Sequence, residues 1–434
     1  MRSIPPNALI AAIVLPLFYL AVYLDYAWSR AQGRADYERN DTVASLSVSI
    51  LMYALGTVLI VVRTAIYTVA WSQFALLQWP QDSPWAWILG LLLYDFTYYW
   101  QHRMGHEWNL LWASHVVHHS SERFNLATAL RVPTASMHLW TWVFALPLAI
   151  AGFPPAVFAV AALLNLLYQF WIHTERVGKL GWFDRWLGSP SNHRVHHGVN
   201  ERYLDKNYGG ILMCWDRLFG TFQEERADDP VRYGTRAPVR SWNPLWINLD
   251  TPWALLRDAL RARRWRDRLA IWFHGPGWRP ADVAAADPKP PFGLARHRNF
   301  EGSAPAALAH YGLLQSALLV PPLIHMIVVA SWLPLWPELL YAVWLSSASI
   351  ALGLLLDAAP ARRRLGFALE LTRWLAVLAM AAGGAWLGEL ALAPWARVLL
   401  ATFALASAGW LLWLQSGLRR EAMLRDPPPP SHTP

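Results

Sequence analysis

Cysteine is nearly absent from this chain of 434 residues. Cys214 stands alone, which excludes an internal disulfide and any cysteine-built zinc or iron–sulfur site. Charge is scarce too: Asp, Glu, Lys and Arg make up 15%, against about 25% in a typical soluble domain. No Gly-x-Gly-x-x-Gly fingerprint, phosphate-binding loop or haem-attachment motif is found, so any redox chemistry would need its electrons from a small molecule or a separate electron-donor protein. What is present is apolar. Hydrophobic residues reach 55%, and 28 tryptophans suit a protein with two membrane–water interfaces to line. The net charge of +8 sits beside apolar runs, which points to an anionic lipid surface and not to nucleic acid.

Runs of about 18 or more apolar residues mark spanning helices, because lipid offers the backbone no other partner. Asn7–Leu24 and Val43–Val62 are such runs, and Trp85–Trp100 is a third, shorter one interrupted by Asp95 near its end. Met137–Gly152 and Pro155–Ile172 flank the breaker Gly152-Phe153-Pro154-Pro155 and read as a hairpin. Tyr311–Trp332, Leu339–Leu356, Trp374–Leu387 and Val398–Leu414 complete an all-α, polytopic membrane protein of about nine spans. Arg30, Arg34 and Arg39, then Arg362, Arg363 and Arg364, then Arg419, Arg420 and Arg425 fall on one side at this parity. The excess of arginine predicts that side to be cytoplasmic, and residues 174–306 with it.

Trp253–Phe273 reads as a single basic amphipathic helix in the interface plane, with Leu255, Leu256, Leu260, Leu269 and Ile271 set against Arg257, Arg261, Arg264 and Arg268. Pro276–Pro291 is a proline-rich linker. The expected organisation is anchor helices over 1–84, a histidine-bearing core over 85–225, and a cytoplasmic helix and linker over 226–306. A four-helix membrane region over 307–418 and a disordered tail over 419–434 follow. Alanine, arginine and tryptophan richness without a retention signal fits a bacterial cytoplasmic membrane.

The chain has 15 histidines, and they are not scattered. His102 and His106 form one cluster, His115, His118 and His119 a second, His193, His196 and His197 a third, and His173 stands at the end of a span. Residues at i, i+3 and i+4 share a helical face, so each cluster is expected to point one way. Neutral imidazole suits iron, zinc, copper or nickel, and one ion takes about four to six ligands, so these histidines point to two ions. Leaving so many buried imidazoles unpaired would cost about 1–3 kcal/mol for each group. Asp95, two turns before His102, and Glu122, one turn after His119, are expected to support ligand imidazoles, and Gln169 to reach the site one turn before His173. His138, His274, His297, His310, His325 and His432 lack partners at ligand spacing and read as ordinary polar residues. A metal transporter would carry its ionisable groups near the bilayer midplane, whereas these clusters flank the membrane on one side.

The order His-x3-His, His-x2-His-His, His-x2-His-His resembles the fatty acid hydroxylase/sterol desaturase superfamily of membrane di-iron enzymes. The likeness runs from about Trp85 to Phe222 through Asp95-Phe-Thr-Tyr-Tyr-Trp-Gln-His102-Arg, Trp112-Ala-Ser-His115-Val-Val-His118-His119-Ser-Ser-Glu122 and Asn192-His193-Arg-Val-His196-His197-Gly. Asp205-Lys-Asn-Tyr-Gly-Gly and Trp215-Asp216-Arg-Leu-Phe-Gly-Thr-Phe222 also match. The resemblance implies His102, His106, His115, His118, His119, His173, His193, His196 and His197 as ligands of two Fe ions (Zn replacing them in a purified protein), with O2 as oxidant and a membrane lipid as substrate. Phe124–Leu130, Gln169–Glu175 and the extra C-terminal spans resemble most the branch that hydroxylates the ether-linked carbon of alkylglycerols with a reduced pterin, releasing a fatty aldehyde. Hydroxylases of fatty acyl, sphingolipid or aminolipid chains and sterol-type desaturases share the same clusters. Gln169 and Asn192 stand where many relatives carry a further histidine, which leaves the assignment of ligands to each ion open.

Overall fold

A computed structural model describes residues 6–134, 142–302, 304–386 and 390–425. His138, His432, the first residues of the expected span Met137–Gly152, Leu387 and the tail Asp426–Pro434 lie outside them. Among the described residues the chain is helical apart from two two-residue strands, β1 (Ala385–Trp386) and β2 (Leu390–Ala391).

The N-terminal helices are α1 (Pro6–Ala31) and α2 (Arg39–Phe74). The histidine region contains α3 (Pro84–Glu107), α4 (Asn109–His119), α5 (Leu126–Ala129), α6 (Trp142–Ile150), α7 (Pro155–Trp171), α8 (Phe183–Trp186), α9 (Pro190–His196) and α10 (Cys214–Leu218). Then come α11 (Pro244–Arg261), α12 (Trp265–Ala270) and α13 (Ala281–Ala286). The C-terminal part holds α14 (Ala306–Leu318), α15 (Val320–Val329), α16 (Leu335–Leu355), α17 (Pro360–Gly383) and α18 (Pro394–Arg425).

Six helical stretches among the described residues are long and apolar enough to cross a membrane: 8–31, 39–59, 306–329, 335–355, 360–383 and 394–418. The nine expected spans are therefore not all reproduced. α3 has the length, but its second half carries Asp95, Gln101, His102 and Arg103 and belongs to the site. The expected hairpin has 17 residues in α7, and an α6 that is described only from Trp142 onward. Its corner depends on Gly152, at φ +93°, where a Cβ would lie 1.9 Å from the Leu77 carbonyl oxygen. Only glycine tolerates both the dihedral and the approach.

One apolar core joins the first two helices to the C-terminal ones. α2 runs along α14 and α16, α1 packs on α15, and Val43, Leu46, Ile50, Tyr311, Leu345 and Leu352 are buried between them. Arg373, expected at the edge of the eighth span, instead lies inside α17. It is 4% exposed and pairs with Glu370, while Tyr311 Oη donates to Glu370 at 2.8 Å and Arg373 donates to Gln315 at 2.8 Å. The opposite charges cancel within one turn, which lets an otherwise apolar helix keep both.

The single helix expected over 253–273 is two helices. α11 ends at Ala262, whose extended backbone (φ −61°, ψ 133°) turns the chain before α12 begins at Trp265.

Candidate metal centre

Short helices with strong local signals place the imidazoles. α3 brings His102 and His106 to its last two turns, and Trp108 both ends α3 and precedes α4, so the second cluster folds back beside the first. α4 is anchored at its start: the first-turn amides of Asn109 and Leu110 donate to the carbonyls of His274 (2.9 Å) and Trp272 (2.8 Å). Those are groups a helix leaves without internal partners. α9 opens on a Ser189 cap, whose hydroxyl accepts from the Asn192 amide at 3.2 Å, followed by Pro190. His173 follows the last turn of α7.

The nine imidazoles form two groups. His102, His106, His115, His119 and His196 make one, and His118, His173, His193 and His197 the other; within each, one ligand atom per residue lies within 4.8 Å of all the rest. The clusters do not each point one way, as expected. The i, i+4 pairs 102/106, 115/119 and 193/197 stay together, while His118 and His196, at i+3, cross to the opposite group. At about 100° per residue, His118 and His119 point in different directions although adjacent.

The Nε2 atoms face each other. His115 Nε2 is 3.1 Å from those of His102 and His119, and His119 Nε2 is 3.1 Å from that of His196. In the second group His193 Nε2 lies 2.9 Å from His173 and 3.2 Å from His197, and His173 lies 3.2 Å from His118. The other ring nitrogens meet backbone carbonyls: His102 Nδ1 and Tyr208 O at 2.9 Å, His196 and Lys206 O at 3.0 Å, His173 and Gln169 O at 2.7 Å, His118 and Arg131 O at 3.3 Å. A carbonyl can only accept, so these four rings carry their proton on Nδ1 and turn the Nε2 lone pair inward. His106 Nε2 is buried with no hydrogen-bond partner at all. Lone pairs gathered at about 3 Å repel one another unless a cation sits among them. Ligands about 2.1 Å from a metal and at right angles are separated by that same distance.

The electrostatics agree with a metal-binding state. Burial pushes the His102 imidazole down to about 3 and the His173 imidazole to about 4. Burial, reinforced by neighbouring imidazoles, holds His115, His118, His119, His193, His196 and His197 well below the usual value. These rings are neutral near pH 7, the form that ligates a metal. Neither group includes a carboxylate.

The three expected supporting residues act differently from their sequence reading. Asp95 reaches no imidazole: it accepts from the amides of Ile211 (2.7 Å) and Leu212 (3.1 Å) and from Trp215 Nε1 (2.9 Å). Glu122 accepts from the Phe300 amide and from no histidine among the described residues. The Gln169 side chain donates to the Gly210 carbonyl at 2.7 Å, and only its backbone carbonyl meets His173.

Two anchors escaped the sequence reading. Asp216, fully buried, accepts from the amides of Tyr208 and Gly209 and from Thr221 Oγ1, each at 2.7 Å. It therefore fixes the segment whose Lys206 and Tyr208 carbonyls orient His196 and His102. Arg131, 1% exposed, donates to Asp41 Oδ1 at 2.8 Å and to Ser120 Oγ at 3.0 Å, tying the start of α2 to the turn after α4. The conspicuous Asp205–Gly210 and Trp215–Asp216 runs were the available signal for the first. Nothing near Arg131 in sequence marked the second.

Comparison with known proteins agrees with this geometry. Residues 87–221 match the family model described as fatty acid hydroxylase. Alkylglycerol monooxygenase of Xenopus tropicalis is 37% identical over 311 residues, 71% of this chain and 68% of that protein. The Homo sapiens protein of the same name is 36% identical over 297 residues, 67% of this chain and 64% of its own length. Ornithine lipid hydroxylase of Rhizobium tropici is 29% identical over 222 residues, 48% of this chain. No solved structure matches the chain. The chain belongs to the fatty acid hydroxylase family of oxygen-dependent membrane monooxygenases, among relatives of the alkylglycerol monooxygenases.

Proposed function

We propose that this protein hydroxylates a C–H bond of a membrane lipid at a pair of iron ions, and that the bond lies on the ether-linked carbon of an alkylglycerol. The carrying observation is the division of nine imidazoles, seven of them buried, into groups of five and four whose ligand atoms lie within 4.8 Å of one another. The five-membered group would hold one ion and the four-membered group the other, both in all-nitrogen surroundings. Iron so held supplies O2 activation, and electrons would come from a reduced pterin or another external donor.

The chain's own part is orientation and exclusion of water. Carbonyls of Lys206, Tyr208, Gln169 and Arg131 hold four rings in register, and Phe124 stacks on His173 with centroids 5.5 Å apart, closing that side with an apolar ring. Hydroxylation next to an ether oxygen gives a hemiacetal, which falls apart to a fatty aldehyde and a glycerol derivative. The relatives named alkylglycerol monooxygenase support this substrate, and the ornithine lipid hydroxylase supports the alternative of an aminolipid chain. We read the arginine-rich loops as support for a site on the cytoplasmic side, and the alanine, arginine and tryptophan richness as support for a bacterial cytoplasmic membrane.

The test is product analysis under 18O2. Iron-loaded protein receives an alkylglycerol and tetrahydropterin, and fatty aldehyde should form only when pterin and oxygen are both present. Its label must be read quickly, because aldehyde oxygen exchanges with water. If host lipids instead gain one labelled oxygen while no aldehyde forms, the ether assignment falls and the lipid hydroxylase stands.

A further inference from the structure

α11 presents an apolar face that nothing among the described residues covers. Leu249, Trp253, Leu256 and Leu260 are 45%, 54%, 39% and 64% exposed. At about 100° per residue they fall within roughly 60° of one another, a narrow stripe along the helix. Beyond the break the row continues through Trp265 and Leu269, 66% and 56% exposed.

The roll of the helix is fixed from behind. Asp258, buried on the opposite face, accepts from Arg279 Nε at 2.6 Å, and Arg279 also reaches Asp287 at 3.1 Å. Exposed Arg257 and Arg261 lie along one edge of the stripe, and exposed Arg264, Arg266 and Arg268 surround its continuation. The helix also sits at the end of membrane helices: Trp242, Asn243 and Pro244 pack on Gly353, in the last turn of α16, and α11 packs against α2.

We propose that α11 and α12 lie in the headgroup layer of the bilayer, the leucine–tryptophan row in the acyl region and the arginines on anionic lipid phosphates. The occupant is fixed by three features together. The face is apolar, arginines outnumber the acids Asp250 and Asp267 along its edge, and it adjoins a spanning helix where that helix ends. A protein partner covering the stripe would have to displace lipid from beside α16. The seat has a consequence for the metal centre, because the turn after α12 caps α4. The Trp272 and His274 carbonyls take the first amides of that helix, and Asn109 Nδ2 donates to the Ile271 carbonyl at 2.9 Å. The lipid surface thus holds the helix that bears His115, His118 and His119.

Spin labels test the seat without any catalytic readout. The full chain carrying Cys214→Ser, with Leu260→Cys or Leu269→Cys, is placed in nanodiscs of phosphatidylglycerol and phosphatidylcholine. Both labels should relax more with O2 than with an aqueous nickel chelate, and a label at exposed Glu224 should show the reverse. Labels at 260 and 269 that behave as the one at 224 overturn the proposal. Replacing Arg261, Arg264, Arg266 and Arg268 with Gln should make both labels shallower in phosphatidylglycerol discs and leave them unchanged in pure phosphatidylcholine. An equal depth in both lipids with and without the arginines overturns the headgroup contact. Leu260→Asp with Leu269→Asp should speed iron loss to a chelator several-fold. Unchanged iron retention, with the labels confirmed in lipid, overturns the link to α4.

Discussion

The backbone carbonyl of Tyr208 lies 2.9 Å from His102 Nδ1, across 106 positions of sequence, and so sets which nitrogen of that ring faces the metal centre. Tyr208 is itself held by Asp216, which takes the Tyr208 and Gly209 amides at 2.7 Å. A carboxylate that touches no imidazole therefore controls one. Asp216→Ala should weaken iron retention by about 10-fold or more, at the lower end of what outer partners of metal ligands cost. Iron content after graded chelator dialysis reads the effect, and full retention in that variant would remove Asp216 from the account.

Asp95 and Gly210 meet in a space too small for another atom. A Cβ at Gly210 would lie 2.8 Å from Asp95 Oδ1 and 2.5 Å from Asn165 Nδ2. Gly210→Ala should cost about 1–3 kcal/mol by overpacking, seen as a lower Tm in detergent. Adding Asn165→Ala removes the nearer obstacle and should restore part of the loss. No recovery would place the clash on Asp95 and on Tyr98, whose Cδ1 lies 2.9 Å from the added atom.

These two positions show where sequence reading ends. The histidine clusters were legible because imidazoles at helical spacing are a local pattern, and the apolar runs because hydropathy is local too. The role of Asp95 was not, since its partners Ile211 and Leu212 lie 116 and 117 positions away. The sharing of ligands between the groups was not legible either. The second cluster was read as one face, whereas the separation of about 100° between His118 and His119 on α4 sends them to different groups. The α11–α12 break was hidden because nothing in the apolar pattern of 253–273 interrupts at Ala262; the turn is set by contacts such as Arg263 N with Asp282 Oδ2 at 2.8 Å.

The two groups should lose metal separately. His106→Ala removes a nitrogen from the five-membered group, and His197→Ala one from the four-membered group. His197→Ala leaves three nitrogens and is expected to fall from about two bound ions toward one, whereas His106→Ala leaves four and should hold its ion more weakly, since structural ions need about four ligands. Metal analysis of protein purified in iron-supplemented medium, with Mössbauer spectra to separate the environments, checks this. Simultaneous loss of both ions in each variant would mean that the groups bind as one unit.

Acid should loosen the link between His173 and His193 through a specific pair. Burial raises the Glu225 carboxyl, but the Arg194 guanidinium bonded to it outweighs burial and holds it below the usual glutamate value. Arg194 also donates to the carbonyls of Thr174 (3.0 Å) and Val177 (2.8 Å), so the pair joins α9 to the chain just after His173. A carboxylate lowered on folding contributes stability above its ordinary pKa, about 4.3, and loses that contribution as pH falls through the lowered value. Glu225→Gln should therefore lose about 1–3 kcal/mol at pH 7 and show a flatter stability profile below pH of about 4.3 than the parent. Parallel acid profiles for the two proteins would refute the assignment.

The buried pair in α17 gives the contrast between breaking and replacing a charge. Glu370 and Arg373 are 0% and 4% exposed, and their remaining polar atoms are met by Tyr311 and Gln315. Trp374 Nε1 donates to the same Tyr311 hydroxyl at 3.0 Å, so α14 and α17 share one network. Glu370→Ala leaves the guanidinium without its counter-ion in apolar surroundings, a change that costs about 3–5 kcal/mol in buried pairs. Glu370→Leu combined with Arg373→Met removes both charges and fills similar volume, so it should be far milder than either single change. Thermal unfolding in one detergent compares Glu370→Ala with the double variant. A double variant as damaged as Glu370→Ala would mean that the hydrogen bonds to Tyr311 and Gln315, and not charge balance, are what the C-terminal bundle requires.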